Sequence, residues 1–281
     1  MIIWIASYPK SGNTLVRSIL SSYLFTSDGN FKFELLNYIK QFPSREFFEQ
    51  INVDVDNKFE VEKNYVKAQK LINSYNKSNF LKTHSAYKLN YHYNFTNFEN
   101  TLGAIYIVRD PRNVITSFSN HYNMSLERSF EYMTSMSFYI GTEFKTDFPT
   151  FVGSWSYNYN SWKSEELKNK CLLIKYEDLI NQKKNTIIKI LEFIGNLSKT
   201  KLKLNEKKLE VSLKTTNFSY LQKLEKEKGF SESMINQTTG KKINFFNLGP
   251  KNDWKELLNE EIKKKIEINF EKEMLELGYL N

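Results

Sequence analysis

Apolar residues in this chain fall into short unbroken runs separated by stretches with helical spacing. Ile2 to Ser7 is one such run, followed by the tight loop Tyr8-Pro9-Lys10-Ser11-Gly12-Asn13 and a helical pattern from Thr14 to Phe25. Phe31 to Phe59 is aromatic and acidic with weak periodicity, and Val61 to Tyr75 reads as a helix. Asn79 to Thr83 predicts a short buried strand ending at His84, and Leu102 to Val108 predicts a strand that is apolar throughout. Pro111, favoured in a first helical turn, then opens a helix through His121. Ser125 to Lys168 is expected to be mostly helical, with Trp155 and Trp162 on one face. Cys171 to Tyr176 predicts a further strand closed by Glu177-Asp178, and a helix follows from about Gln182 to Ile194, stopped by Gly195. Trp254 to Leu277 reads as one long charged amphipathic helix. Wholly apolar strands alternating with helices predict an α/β fold with a central parallel sheet flanked by helices on both faces.

Neither an internal repeat nor a Pro/Ser-rich linker divides the chain, so residues 1–281 are expected to form a single domain. The one compositionally loose stretch, Lys226 to Lys251, is rich in Gly, Ser and Thr and holds the Lys241-Lys242 pair. Long irregular segments in compact domains are often functional, and 226–252 is read as a mobile lid.

Composition narrows the class. With 40% hydrophobic and 15% aromatic residues, 281 residues can bury a substantial core. Mean hydropathy is -0.54, and no run reaches the roughly 18 apolar residues of a membrane span. Met1 to Ala6 is apolar but lacks a basic leader and meets Pro9-Lys10 too soon for a secretory signal. Cys171 stands alone, which excludes an intramolecular disulfide and a thiolate-based metal site, and a reduced, cytoplasmic location is expected. The net charge of +8 raises the question of an anionic partner, but the lysines are spread along the chain as solvated faces with no basic tail. Only five arginines occur, Arg17, Arg45, Arg109, Arg112 and Arg128, and their placement is more informative.

In a parallel sheet, ligands bind beyond the carboxyl ends of the strands, so the loops after Ser7, Thr83, Val108 and Tyr176 should face one crevice. Lys10-Ser11-Gly12-Asn13-Thr14 lies at a helix N-terminus, where free amides and the positive end of the helix dipole receive anionic oxygens. Gly12 allows close backbone approach, Asn13 and Thr14 offer side-chain donors, and Lys10 adds a charge. The spacing is not that of the nucleotide triphosphatase loop, since the lysine precedes the glycine. Arg109-Asp110-Pro111-Arg112, with Ser117 two helical turns on, forms a second candidate anion site, because an arginine after a buried strand can clamp phosphate with a bidentate fork. Lys82-Thr83-His84 places a histidine at the same crevice, where a neutral imidazole can take a proton near pH 7. His92 and His121 have no comparable placement.

These residues carry a family resemblance. Tyr8 to Thr14, YPKSGNT, resembles the 5′-phosphosulfate-binding loop of sulfotransferases that use 3′-phosphoadenylyl sulfate (PAPS), and Arg109 to Ser117, RDPRNVITS, is similar to their 3′-phosphate-binding segment. Lys82-Thr83-His84 resembles the segment bearing the catalytic histidine of the cytosolic-type branch, Tyr176 to Leu179 the YEDL segment, and Thr216-Asn217-Phe218 the segment whose ring contacts adenine. Gly249 to Trp254, GPKNDW, resembles the late element that closes over the 3′-phosphate. Departures are equally visible. Leu15 replaces a frequent tryptophan, and Asn247-Leu248 replaces an Arg-Lys pair, leaving Lys251 or Lys241-Lys242 as substitutes. Asn252 replaces the second glycine, and the short dimerisation motif of cytosolic members is not recognisable after Trp254.

The resemblance implies a P-loop nucleotide-kinase-like three-layer architecture and sulfuryl transfer from PAPS to a hydroxyl or amine of a small-molecule or glycan acceptor, with PAP as product. It implies no metal, no nucleic-acid partner and no integral membrane segment, and a monomer or homodimer. His84 would be the general base, and Lys10 would stabilise the leaving phosphate. Ser11, Gly12, Asn13, Thr14, Arg109, Ser117, Tyr176, Phe218, Gly249 and Lys251 would bind the donor. Two other classes start from the same residues. A P-loop-like phosphotransferase would use the first loop with magnesium, and a non-catalytic nucleotide- or RNA-binding protein would draw on the +8 charge.

Overall fold

The structure is a computed structural model that describes residues 1–74, 79–89, 93–141, 148–200, 202–236 and 239–280. His92, Tyr75 and Thr238 lie outside the described residues. β1 (Ile2–Ser7), buried at every position, leads through the first loop into α1 (Asn13–Phe25). A 3₁₀ turn at Phe33–Tyr38 and the two-residue strand β2 (Lys40–Gln41) follow, then α2 (Arg45–Glu49), α3 (Lys58–Lys63), α4 (Tyr65–Asn73) and β3 (Asn79–Thr83). β4 (Thr101–Val108) feeds α5 (Pro111–Tyr122), which has Asp110 as N-cap and Pro111 in the first turn, and α6 (Leu126–Thr134) comes next.

The main sheet runs β2-β3-β1-β4-β7, where β7 is Cys171–Lys175, and every pairing in it is parallel. Consecutive strands are added first on one side of β1 and then on the other, so the order reverses at β1, the place where such sheets open a ligand crevice. Alternation along β1 divides the core. Ile3 and Ile5 pack against α1 and the helix at 183–197, whereas Ile2, Trp4 and Ala6 join a larger cluster with α4, α5 and the C-terminal helices. Helices therefore cover both faces, giving the expected three layers.

Several elements differ from the pattern-based expectation. The helix expected from Val61 begins at Lys58 and breaks at Asn64. Between Ser125 and Lys168 helix is interrupted by a two-residue antiparallel pair, β5 (Tyr139–Ile140) and β6 (Thr150–Phe151), before α7 (Trp155–Ser161) resumes. Gly141 and Gly153, at φ 97° and 67°, make the turns that no side chain would favour. Trp155 and Trp162 are both buried in the larger cluster. β7 ends at Lys175, so Tyr176 opens α8 (Tyr176–Asn181) rather than closing the strand. α9 (Lys183–Leu197) passes through Gly195 instead of stopping there. α10 (Glu206–Thr215) and α11 (Phe218–Lys228) lead into the loose segment, which holds the short pair β8 (Met234–Ile235) and β9 (Lys242–Ile243). The final helix is three: α12 (Trp254–Leu257), α13 (Glu260–Asn269) and α14 (Glu271–Glu276). Leu258 is extended, and Asn259 caps a new start by accepting from the Ile262 amide.

Gly195 shows why a glycine sits inside α9: a Cβ there would lie 2.9 Å from the Thr200 carbonyl, a backbone atom that cannot easily withdraw. Helix propensity favours Gly→Ala by about 1 kcal/mol, but overpacking against backbone costs about 1–3 kcal/mol. Gly195→Ala should therefore lower the urea midpoint, and a raised midpoint would refute the close-packing role.

Candidate functional site

The carboxyl ends of β1, β3, β4 and β7 open into one cavity of about 740 Å³. Its lining includes Lys10, Gly12, Asn13, Thr14, His84, Arg109, Ser117, Tyr176, Phe218 and Gly249. Ser11 and Lys251 are not among the described lining residues. Ser11 is fully buried behind the loop, and Lys251 is exposed to solvent.

The first loop is shaped by two left-handed residues, Lys10 at φ 64° and Gly12 at φ 104°. Asn13 ties the loop to the sheet, its side-chain amide donating to the Ile5 carbonyl at 2.9 Å and to Ser7 Oγ at 3.3 Å. That amide is spent on structure, so Asn13 offers the cavity its backbone N–H in the unpaired first turn of α1. A Cβ on Gly12 would run into the Tyr176 ring, and that same ring lies 4.2 Å from the Arg109 guanidinium. Tyr176 is thus wedged between the two predicted anion sites. Arg109 donates from Nη1 to the Lys10 carbonyl at 3.1 Å and makes no ion pair among the described residues.

Arg112 is different. Asp110 accepts from its Nε and Nη2, Glu267 from Nη1 at 2.7 Å, and its guanidinium lies 3.9 Å over Trp254. It anchors the C-terminal helices and leaves Arg109 to the cavity. The GPKNDW element docks on the same helix: Asn252 accepts from Thr116 Oγ1 at 2.6 Å and donates to the Asn113 carbonyl, so the residue standing in the family's glycine position uses its side chain. Gly249 presses against Phe218, where a Cβ would strike the ring. Asn247 donates to Asn120 Oδ1 at 2.7 Å, and both line the cavity.

His84 Nδ1 lies 2.8 Å from the Ser7 carbonyl, which can only accept, so Nδ1 carries the hydrogen and Nε2 is the proton-accepting nitrogen. Burial, reinforced by the Lys82 charge, pushes the imidazole down to about 3 and holds it neutral. Lys10 is buried with Nζ 3.8 Å over the Phe245 ring, and burial lowers it to about 7. Of the lining residues, Lys10 Nζ and Arg109 Nε are buried donors with no hydrogen-bond partner among the described residues, and Ser11 Oγ and Arg17 Nε are two more that do not line the cavity. Orphaned donors on this scale call for a ligand rich in acceptor oxygens.

Other residues at the site carry no functional assignment in the sequence pattern. Arg17 and Lys82 are buried cations that meet Glu232, at 2.6 Å and 3.6 Å. Arg17 had a visible signal, standing one turn beyond Thr14 on α1; Glu232, in the loose segment, had none. His121 also lines the cavity, packed edge-on against Phe245, with Nδ1 lacking a hydrogen-bond partner among the described residues. Glu225 accepts from the Phe245 and Phe246 amides and from Ser233, holding the loose segment over the cavity.

A sequence model of the sulfotransferase domain matches residues 2–278. The chain belongs to the sulfotransferase domain family. Among curated relatives, a 3-beta-hydroxysteroid sulfotransferase of Cavia porcellus is 25% identical over 158 residues, 56% of this chain and 51% of that protein. Sulfotransferase 2A6 of Mus musculus is 29% identical over 163 residues, with the same shares. The matched region thus spans about half the length of these relatives. Mouse sulfotransferase SULT7A1 complexed with PAP superposes with TM-score 0.58 at 18% identity, covering 97% of this chain and 84% of that one. Retinol dehydratase in complex with androsterone and PAP gives TM-score 0.62 at 16% identity, covering 97% and 80%. These structures establish the sulfotransferase fold for this chain.

Lys10 is largely uncharged in the free protein above pH 7, and an anion beside it restores the ammonium, so anion binding there takes up a proton. With sulfate as a probe that does not titrate in this range, affinity should fall about tenfold per pH unit between pH 7 and 10. Calorimetry in buffers of different ionisation heat should show proton uptake at pH 8.5 that Lys10→Met abolishes. PH-independent binding would contradict the assignment.

Proposed function

We propose that this protein transfers the sulfuryl group of PAPS to a hydroxyl or amine, releasing PAP. The observation that supports this most strongly is the pair of buried unpaired donors, Lys10 Nζ and Arg109 Nε, on residues lining a cavity that also holds a neutral histidine. The donor set fits PAPS, whose phosphosulfate and 3′-phosphate present acceptor oxygens at two ends. The first loop and Lys10 receive the phosphosulfate, while Arg109 and Ser117 receive the 3′-phosphate. Tyr176 and Phe218 flank the nucleotide, and Gly249 lets the late element approach Phe218 closely. The segment 226–252, tied down by Glu225, acts as the lid over the donor.

In the transfer, the acceptor oxygen or nitrogen forms a bond to sulfur as the bond from sulfur to the bridging phosphate oxygen breaks. The acceptor proton passes to His84 Nε2, and the electron pair of the breaking bond stays on the PAP phosphate. Lys10 and the amides of α1 stabilise that growing charge, a contribution of the kind that dominates group transfer. A bound donor also raises the basicity of His84 by adding negative charge beside it. Lys82 supplies a cation two residues from His84, on the acceptor side of the reacting group. The named relatives make steroid alcohols a rational part of an acceptor panel that also holds phenols, amines and glycans.

His84→Ala should bind PAP as the wild type does while losing about a hundred- to ten-thousandfold of transfer from radiolabelled PAPS, the range for a general base. Unimpaired turnover in that variant would remove His84 from the chemistry. Arg109→Ala should weaken PAP by about ten- to a hundredfold and AMP far less, since hydrogen bonds between charged groups are worth about 1.5–3 kcal/mol. Equal losses for PAP and AMP in calorimetry would place Arg109 away from the 3′-phosphate.

A further inference from the structure

Among the described residues lining the cavity, Glu232 is the only carboxylate, and the transfer described above does not use it. Its Oε1 accepts from Arg17 Nη1 at 2.6 Å and lies 3.6 Å from Lys82 Nζ, while its Oε2 accepts from Thr14 Oγ1 at 3.2 Å. The Arg17 and Lys82 side chains are 5% and 7% exposed, so two buried cations from different elements share one acid carried on the lid. The tight contact is with arginine; the lysine is held at longer range, by charge.

We propose that Glu232 is a positioning residue that keeps the Lys82 ammonium charged and aimed beside His84, so that lid closure assembles the acceptor side of the site. The inference rests on the sulfuryl-transfer reading of the cavity. Buried cations crowd this point: Arg17 from α1, Lys10 from the first loop, Arg109 after β4 and Lys82 itself, with His84 after β3 and His121 on α5 also facing it. Glu225 on α11 is the other nearby acid, engaged with lid amides. Arginine stays protonated under any such pressure, whereas a buried lysine gives up its proton. Removing the Glu232 charge therefore acts on the two lysines, on Lys10 through its field and on Lys82 by direct contact at 3.6 Å, so that Lys82 becomes neutral at a lower pH or leaves the crevice.

Three variants test this. Glu232→Gln should lower donor-saturated kcat by about thirtyfold or more, leave PAP affinity within about threefold, and move the alkaline limb of kcat down by about one pH unit, a shift of the size one lost neighbouring charge produces. Glu232→Asp should recover part of the rate. Removing Arg17 together with the acid, as Arg17→Met with Glu232→Gln, leaves Lys82 as the one contacting cation deprived of Glu232, and this variant should fold and remain slow. A double variant restored to wild-type kcat would show that Glu232 only neutralises Arg17, and faster turnover with tighter PAP binding in Glu232→Gln would make it a competitor of the donor; either overturns the proposal. Labelling of the Lys82 amine at pH 8, read by mass spectrometry, needs no turnover. It should rise several-fold in Glu232→Gln and not in Glu232→Asp, and unchanged labelling overturns the positioning role. Absence of PAP binding and transfer in the wild type would instead overturn the reading of function.

Discussion

Four cationic side chains, Lys10, Arg17, Lys82 and Arg109, converge where β1 ends, at the positive end of α1. Burying charges of one sign together is costly, because each loses water and repels the others. The surrounding structure meets that cost in separate ways. Lys10 approaches neutrality and rests on the face of Phe245. Arg109 lies against Tyr176 and donates to a backbone carbonyl. Arg17 and Lys82 are balanced by Glu232, which in turn ties the loose segment to α1 and β3. A ligand carrying several negative charges resolves the same imbalance at once, which is why the geometry favours a polyanionic donor over a neutral one.

The parts legible from sequence are those in which one local rule decides the outcome. The apolar run of β1, the glycine at position 12 and the periodicity of α1 required a strand, a tight loop and a helix, and Pro111 after β4 required a helix start. Convergence of the loops followed from parallel pairing, since every carboxyl end then lies on one side. The Trp254 to Leu277 stretch misled because its breaks fall near Leu258 and at Phe270, apolar residues that preserve the helical spacing. In the Ser125 to Lys168 region the strands are two residues long, too short to carry any period.

The site was legible to the same degree. Lys10, His84 and Arg109 stand next to strand ends, so their placement could be inferred from the strands. Arg112, adjacent to Arg109 in motif and composition, turned out to be structural because Asp110 and Glu267 enclose it. Only tertiary packing distinguishes the two arginines. Glu232 reaches the crevice from the segment with the weakest pattern in the chain, and Lys251, cationic and well placed in the motif, points to solvent instead.

Asn247 and Asn252 show how the late element works with fewer charges. Where an Arg-Lys pair would add two more cations to an already crowded rim, Asn247 is neutral and bonds to Asn120, and Asn252 fastens the element to α5 through Thr116 and Asn113. On the proposed reading, fewer cations in the late element leave Arg109 with a larger share of the 3′-phosphate contact. The loose segment is held in addition by the phenylalanine cluster around Phe230, Phe245 and Phe246 and by the Glu225 carboxylate, which accepts from two of their amides. The contacts of Glu232 beneath it are ion pairs with Arg17 and Lys82. Apolar packing and charge thus hold the loose segment together, and Glu232 is where it meets the buried cations.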